Sequence, residues 1–427
     1  MANKKLRDLD AATALAAEDL IYVVQSDEAS PPTYTDKHAT VQQVLDLVVG
    51  SGGSVDPATF GHRLTLVSGQ PVHIPRPVTP TATDHATTDT VTLPSGHNLV
   101  TGDRCTIGTT VGGLTSLTLY YLNVSGNTAS FHTTLADAQA QTNKVNLSAD
   151  ITYPICPTGV EATGTIYLEP FKSDRMALWD GSTWQVLDSG DAAVPVTLPS
   201  LSAGEQRDLF IKIDTGAISY EWSAAWSGDN TRADAIVRKN GVWVKSGTPT
   251  LRYVGTVRAH ATDTLIDDGG GIVNKVGARR FLFNAHNRIE RVMELIYQNG
   301  SSTYTYSSST VQRLNGTIGN DCVFQFVAGL AEDVMPVQMA IGAINGQSAN
   351  FGANINNAGA IRNRPPHPSW GQIHAVTSSG SIYQSTEYHS TQLPVLGFNT
   401  LYFLEQAFSG TVTVRPWECQ FTGRFKM

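Results

Sequence analysis

The chain has 427 residues, two to three times the usual domain size, so its length predicts several hydrophobic cores. Charged residues make up 15% of the chain and 38 residues are glycine, a composition typical of short strands joined by turns. The formal net charge of −8 provides no basic field that would attract phosphate backbones, which argues against a nucleic-acid partner and a DNA-packaging role.

The first predicted module, residues 1–56, combines a short strand, a short helix and a linker. Leu20 to Gln25 is a compact β-type run, and Thr40 is a candidate N-cap for a helix whose apolar residues recur at helical intervals: Val41, Val44, Leu45 and Val48. Gly50 to Ser54 is typical of a flexible linker. A segment this small buries too little surface to fold alone, so we expect its apolar side chains to contact a second copy or a partner protein: Leu20, Tyr22 and the four helix residues.

The second predicted module, residues 57–160, alternates strand-like runs with turn clusters, which favours a β-sandwich or a small barrel. The runs are Val91 to Leu93, Cys105 to Ile107, Leu117 to Val124 and Val145 to Leu147. Four prolines between Pro71 and Pro80 predict an extended connection or a sheet edge, because proline cannot donate to a strand ladder.

Two hairpin signals mark the third predicted module, residues 161–295. Asp180-Gly181 lies between Trp179 and Trp184, and Asn240-Gly241 joins two apolar runs. These residues tolerate the positive φ angles of a tight turn.

The rest of that module is less regular. Leu251 to Val257 is a strand-like run, and the acidic, glycine-rich stretch from Asp263 to Gly271 reads as a solvated loop. From Arg279 to Leu295 the apolar spacing fits either a helix or a strand that ends near Phe283.

The fourth predicted module, residues 296–427, returns to strand-like runs and suits a two-sheet sandwich. The runs are Val323 to Val327, Val337 to Ile344, Gln372 to Thr377, Leu401 to Gln406 and Gly410 to Val414. Asn350 to Pro368 is predicted to be a long loop, either a surface feature or an intersubunit arm.

The cysteines and the apolar runs limit the remaining classes of protein. Four widely spaced cysteines without a CxxC pair predict buried thiols, although Cys322 and Cys419 fall in one module and could lie close together. No run of about 18 apolar residues occurs, and no apolar signal-peptide core follows the basic start, so we expect neither membrane insertion nor secretion.

Three stretches resemble proteins of tailed-bacteriophage particles. Leu6 to Leu15, Asp19 to Gln25 and Ala39 to Val44 resemble the N-terminal piece of phage tail and fibre proteins, which attaches the appendage to the particle. Residues 85–148 look like a second, structural phage module, through His97 to Asp103, Gly112 to Leu114, Tyr120-Tyr121 and Phe131 to Ala138.

The third resemblance covers residues 163–293 and is to a region that recurs in phage virion proteins. Its motifs are Ile166 to Pro170, Leu178 to Gly181, Asp208 to Ile211, Thr231 to Ala233, Tyr253 to Val257 and Arg280 to Arg288. Residues 296–427 match no family that we can name, as expected of a variable, outward-facing end.

Catalytic chemistry finds little support in the sequence. A glycosidase needs two facing carboxylates, and the candidates are Asp267 with Asp268, Asp174 with Asp180, and Glu387. Neighbouring strand residues point to opposite faces, and Asp180 is better explained by its turn. The chain has no G-x-S-x-G elbow, no metal-binding histidine spacing and no phosphate-binding loop, so we expect a non-enzyme without cofactor or metal.

The expected fold class is therefore mainly β: a chain of β-sandwich or small-barrel modules behind a short α+β N-terminal anchor. The expected function is a structural virion protein, a tail fibre or tail-associated appendage; the alternatives are a head fibre or capsid decoration protein, and a carbohydrate-cleaving tailspike.

The resemblance implies several partners: a second and third copy of the chain, other virion proteins such as portal, adaptor, tail or capsid protein, and a host cell-surface glycan or protein. Candidate contacts between subunits include three arginines, which either bind carboxylates of a neighbour or form a solvated face: Arg279, Arg280 and Arg288. The candidate receptor-facing aromatic residues, which could instead fill a core, are Trp370, Tyr383 and Tyr388.

Overall fold

The structure is a computed structural model that describes residues 20–26, 34–40, 55–271, 278–297, 303–314, 323–330, 336–344, 349–355, 381–389, 394–407 and 410–427. These residues form 31 strands and one helix, so the chain is mainly β, as its composition predicts. Among them, no helix is both long enough and apolar enough to cross a membrane.

The elements up to residue 188 are β1 (Leu20–Ser26), β2 (Tyr34–Thr40), β3 (His62–Thr65), β4 (Ala82–Asp84), β5 (Thr90–Thr92), β6 (Asp103–Ile107), β7 (Tyr120–Ser125), β8 (Thr128–His132), helix α1 (Leu135–Ala140), β9 (Ile155–Thr163), β10 (Thr165–Pro170), β11 (Arg175–Trp179) and β12 (Trp184–Asp188).

The elements from residue 194 to 313 are β13 (Val194–Thr197), β14 (Gln206–Asp214), β15 (Ala217–Trp222), β16 (Ile236–Lys239), β17 (Val242–Lys245), β18 (Thr248–Arg258), β19 (Thr264–Asp268), β20 (Gly270–Gly271), β21 (Arg279–Arg280), β22 (Leu282–Asn284), β23 (Glu290–Tyr297), β24 (Tyr304–Tyr306) and β25 (Gln312–Arg313). The final strands are β26 (Val323–Ala328), β27 (Pro336–Ile344), β28 (Ala349–Ile355), β29 (Ser381–His389), β30 (Gly397–Ala407) and β31 (Val412–Lys426).

The chain divides into a small unit, Met1–Thr59, and a large unit, Phe60–Met427. The small unit contains the antiparallel pair β1 and β2, which confirms the strand predicted at Leu20 to Gln25. Thr40, the predicted N-cap, is the last residue of β2, and its role as an N-cap stays a prediction. The rest of the predicted helix, with Val41, Val44, Leu45 and Val48, lies outside the described residues.

A twelve-stranded sheet organises the large unit. Its strand order is β25-β30-β26-β21-β19-β9-β6-β7-β8-β5-β4, with β28 also paired to β30. Strands from all three predicted modules after residue 56 therefore share hydrogen bonds, and β9 itself crosses the predicted boundary at residue 160.

Other described strands form smaller sheets. One six-stranded sheet has the order β15-β14-β18-β17-β16 with β22 beside β18, and another has the order β20-β23-β31-β27-β29 with β24 beside β31. Strands β13, β10 and β3 form a third sheet, and β11 pairs with β12.

Hydrophobic clusters fill the spaces among the described strands. Phe324, Phe403 and Phe421 lie in the C-terminal cluster, where the rings of Phe403 and Phe421 stack with centroids 4.1 Å apart. Tyr120 and Phe131 meet edge to face in the cluster under the second module. This burial is the main favourable term in the stability of the large unit.

Several sequence predictions fail for local reasons. Val145 to Leu147 forms no strand, although the Val145 amide donates to Phe131. Helix α1, which we did not predict, begins after Thr134, whose hydroxyl accepts from the Asp137 amide at 3.1 Å. Residues 350–355 of the predicted loop belong to β28, and the rest of that loop lies outside the described residues.

Other predictions are confirmed. The stretch after Arg279 forms strands and not a helix, and residues 71–80 form an extended connection with a single bridge, from Val78 to Ile155. Cys105 and Cys156 are both thiols; Cys105 lies opposite Pro157 and Cys156 opposite Thr106, so the two sulfur atoms project from opposite faces of the sheet. Cys322 lies outside the described residues.

Candidate functional site

The end of strand β19 places two carboxylates among buried arginines. Asp267 lies opposite Arg280 in the ladder between β19 and β21, and the two side chains form an ion pair. Arg291, on β23, approaches the other carboxylate oxygen of Asp267 at 3.0 Å. The predicted solvated loop is therefore wrong, because Asp267 and Asp268 end a strand and are largely buried.

Asp268 projects to the opposite face of β19, as strand geometry predicts. There it forms an ion pair with Arg104, and its other oxygen accepts the Gly270 amide at 2.7 Å. Arg104 also lies 3.2 Å from Glu161, which accepts from the Tyr121 hydroxyl at 3.1 Å. Strands β6, β9 and β19 are neighbours in the sheet, so charged side chains at matching positions along these strands lie close together.

The pair of His73 and Asp103 extends this group of ion pairs toward the proline-rich connection, residues 71–80. His73 Nε2 lies 2.6 Å from Asp103, and its Nδ1 lies 2.8 Å from the Gln70 side chain. Arg291 donates to the His73 carbonyl at 3.1 Å. The ion-pair cluster, defined by these contacts, thereby joins the connection to the twelve-stranded sheet and to the six-stranded sheet that contains β23.

Burial and neighbouring charges shift the ionisation of this cluster. Burial raises the pKa of Asp103 and of Glu161, although His73 and Arg104 respectively oppose the shift. Burial also disfavours the charged form of Asp267, but Arg280 and Arg291 together lower the pKa of that carboxyl below its ordinary value. Burial lowers the pKa of His260 to about 4, assisted by repulsion from Arg279 and Arg104.

A second buried cluster brings together residues of the third resemblance. Asp208 accepts from Arg232 Nε at 2.8 Å, from Thr256 Oγ1 at 2.6 Å and from Trp226 Nε1 at 3.1 Å. Arg232 also lies over the Tyr253 ring, 4.8 Å from its centroid. Four of these residues belong to three separate sequence motifs, which therefore meet in the folded chain: Asp208, Arg232, Tyr253 and Thr256. Their contacts link the neighbouring strands β14 and β18.

The predicted arginine contacts have a different environment from the one expected. The ion-pair partner of Arg280 is in its own chain, not in a neighbouring subunit, and the residue is only 4% exposed, so the solvated-face alternative is also wrong for it. Arg279 is partly buried and lies 3.4 Å from His260. Arg288 is partly exposed and lies over the Phe283 ring, so its subunit contact stays a prediction.

The structure describes the other predicted contact residues only in part. Leu20 and Tyr22 lie on β1, and Tyr383 and Tyr388 lie on β29; only the backbone of these strands is described. Trp370 lies outside the described residues. The four apolar residues of the predicted helix likewise lie outside them.

One candidate catalytic carboxylate, Asp180, lies in the turn between β11 and β12. Asp180 accepts the amides of Ser182 and Thr183 at 2.7 and 2.8 Å, and these turn hydrogen bonds lower its pKa. The prediction that the presence of Asp180 is explained by its role in the turn is therefore confirmed. Within the described ranges, no group of three or more His, Cys, Asp or Glu side chains is arranged to hold a metal ion.

Sequence reasoning missed Arg104, Glu161, Asp208 and Arg232 as members of buried clusters. Arg104 and Asp268 are 164 residues apart, so no local periodicity could have paired them. For Glu161 the available signal was a charged residue between two apolar strand residues, where an unpaired charge would be strongly destabilising.

Comparison with known proteins adds little. No protein-family model matches the chain, and no curated protein matches it. Among solved structures, the chain is similar to a chain of infectious bursal disease virus Gx strain at 12% identity and a TM-score of 0.20, over 89% of this chain and 81% of that one.

A chain of the Gt strain of the same virus matches at 9% identity and a TM-score of 0.17, over 90% of this chain and 77% of that one. The crystal structure of the VP2 subviral particle of that virus matches at 8% identity and a TM-score of 0.16, over 90% and 82%. TM-scores this low do not establish a shared fold.

Proposed function

We propose that this chain is a structural component of a tailed-bacteriophage particle, a tail fibre or tail-associated appendage. In this proposal residues 1–56 dock on the particle and residues 296–427 face outward. The observation that carries it is the division of the chain at residue 59, a few residues after the glycine-serine linker. A small unit ahead of a large, many-stranded one suits an anchor that holds a rigid body.

The proposal includes no catalytic step. A retaining or inverting glycosidase needs one carboxyl that stays protonated at working pH. Arg280 and Arg291 instead stabilise the ionised form of Asp267. Asp268 is bound to Arg104 and to the Gly270 amide, so both carboxylates have partners within the fold.

Deletion of Met1 to Gly50 tests the docking role. We expect the truncated protein to remain folded, with the β-type circular dichroism of the full chain, because the large unit has its own cores. We also expect it to be absent from particles assembled in infected cells, measured by mass spectrometry of purified virions.

Val186→Asp in the full chain is the control, since this valine of β12 is 41% exposed and lies in the large unit. Its incorporation should match that of the natural chain. Normal incorporation of the truncated protein would exclude docking through the N-terminal unit.

A further inference from the structure

A pocket of about 250 Å³ lies beside the ion-pair cluster. Its rim is apolar and includes Ile74 and Val292, which are 52% and 41% exposed, together with Pro77. Its lining also includes Asp267, Arg280 and Arg291, three charged residues that are largely withdrawn from solvent. An open apolar rim over buried charges is the usual composition of a small ligand site.

The charged residues that line this pocket are two arginines and two carboxylates, and Arg63, outside the lining, adds a positive charge that interacts with Asp267. Arg63, Arg280 and Arg291 surround Asp267, and Glu294 in the wall is the other lining carboxylate. Burial, together with repulsion by Arg280, lowers the pKa of Arg291 to about 10; burial lowers the pKa of Arg63 to about 10 despite attraction by Asp267. Burial therefore disfavours the charged forms of Arg63 and Arg291, and an anion bound beside them would favour those forms.

Arg280 also has a donor without an acceptor. Its residue is 4% exposed, and its Nε atom donates to no acceptor among the described residues, although Nη1 binds Asp267 and Nη2 donates to the Val292 carbonyl at 2.7 Å. Buried donors are almost always satisfied, and guanidinium groups bind carboxylates with strong, charge-assisted hydrogen bonds.

We propose that this pocket binds a carboxylate group on a short aliphatic stem, with the carboxylate at Arg280 and Arg291 and the stem against Ile74 and Val292. A volume of about 250 Å³ admits a group the size of butyrate or of a glutamate side chain and is too small for a nucleotide. A free small carboxylate and an acidic side chain of another protein share this chemistry.

The test uses the full chain with butyrate as the probe and butyramide, its uncharged analogue, as the reference. Binding is followed by saturation-transfer nuclear magnetic resonance and by the butyrate concentration that half-saturates the signal. We expect saturable binding of butyrate and at least tenfold weaker binding of butyramide, because the amide has no charge to complement the arginines.

Substitutions at the exposed rim avoid disturbing the buried ion pairs. Val292→Asp should weaken butyrate binding about tenfold and Val292→Lys should strengthen it, because a new charge near the pocket acts on the carboxylate through a medium of intermediate dielectric. Val186→Asp is the matched control, since Val186 and Val292 are both strand valines that are 41% exposed. It should leave binding unchanged.

A blocked alanine pentapeptide with a central glutamate distinguishes the two sources. Binding of both the peptide and butyrate would indicate an acidic side chain of a partner as the occupant, and binding of butyrate alone would indicate a free carboxylate. Absence of butyrate binding, equal binding of butyramide, or equal effects of Val292→Asp and Val186→Asp would overturn the proposal.

Discussion

His62 is a histidine that folding removes completely from solvent. Its side chain lies on β3, shares a hydrogen bond of 2.7 Å with the Ser189 hydroxyl and meets Phe60 edge to face at 6.1 Å. Burial lowers its pKa to about 4, although the nearby Asp188 opposes the shift. The imidazole is therefore neutral in the folded protein throughout the mildly acidic range.

This residue should make the folded protein sensitive to acid. Between pH 6.5 and about 4 the unfolded chain binds a proton at His62 that the folded chain does not, so stability falls as the pH is lowered. We expect His62→Gln to reduce the loss of unfolding free energy between pH 7 and pH 4.5 by about 2 kcal/mol, measured by urea denaturation at each pH.

The matched control is His85→Gln, because the His85 ring is 42% exposed. It should retain the pH dependence of the natural chain. An unchanged pH dependence in His62→Gln would contradict the assignment of a neutral, buried imidazole.

What the sequence reveals about a single residue depends on how local its partners are. The role of Asp180 could be predicted, because its partners Ser182 and Thr183 are two and three residues away. The role of Asp267 could not, because Arg291 reaches it only after β19 and β23 have been assembled into different sheets.

The hairpin of β16 and β17 shows a turn dictated by its sequence. Lys239 pairs with Val242, which leaves Asn240 and Gly241 as a two-residue turn with φ angles of 50° and 83°. Two positive φ angles are the mark of a type I′ turn, whose twist matches that of the strands. The predicted hairpin is therefore confirmed.

Gly241→Ala should destabilise the protein through the backbone alone. A Cβ atom at this position meets nothing within 4 Å, so the substitution creates no clash and only forces alanine into the left-handed region. We expect a loss of about 1 kcal/mol in unfolding free energy, measured by chemical denaturation.

Gly228→Ala serves as the comparison, because Gly228 also has open space around its Cβ position but no positive φ. It should be neutral or slightly stabilising. A larger loss at residue 228 than at residue 241 would contradict the turn assignment.

A strand or helix can be predicted when its residue pattern extends over most of its length. The runs at Val323 to Val327 and Leu401 to Gln406 form β26 and β30, because continuous apolar residues suit strands that are buried on both faces. Helix α1 has only six residues, too few to show a repeating pattern of apolar residues at helical spacing. Its capping contact between Thr134 and Asp137 was the single available signal.

At the scale of the whole molecule, the modules proved less separate than the sequence suggests. Module boundaries were predicted after residues 160 and 295, but the twelve-stranded sheet uses strands from both sides of each. Sheet pairing over long distances leaves no periodic trace in a sequence, so the order of strands could not be predicted.

We expect the full chain to be a homotrimer in solution. The number comes from the resemblance to phage appendages; the sequence itself supplies only the need for a partner, because the apolar residues predicted on the N-terminal helix are too few to form a core. Light scattering at micromolar concentration should give three times the chain mass of 45.8 kDa.

Substitution of both Val44 and Leu45 by aspartate should reduce that mass to one chain, whereas Val186→Asp should not. A stable monomer of the natural chain would contradict the prediction, unless neighbouring copies touch through these residues only on the assembled particle.

The hydrogen bonds around β3 also determine when the chain can finish folding. The Leu64 amide donates to the Asn284 side chain at 2.6 Å, 220 residues away, and Arg63 donates to the Met427 carbonyl at 3.1 Å, 364 residues away. During synthesis at the ribosome, β3 therefore waits for partners that are made more than 200 residues later. Such high contact order slows folding and leaves strand edges open to wrong pairing, so we expect this chain to depend on chaperones until these partners have been synthesised.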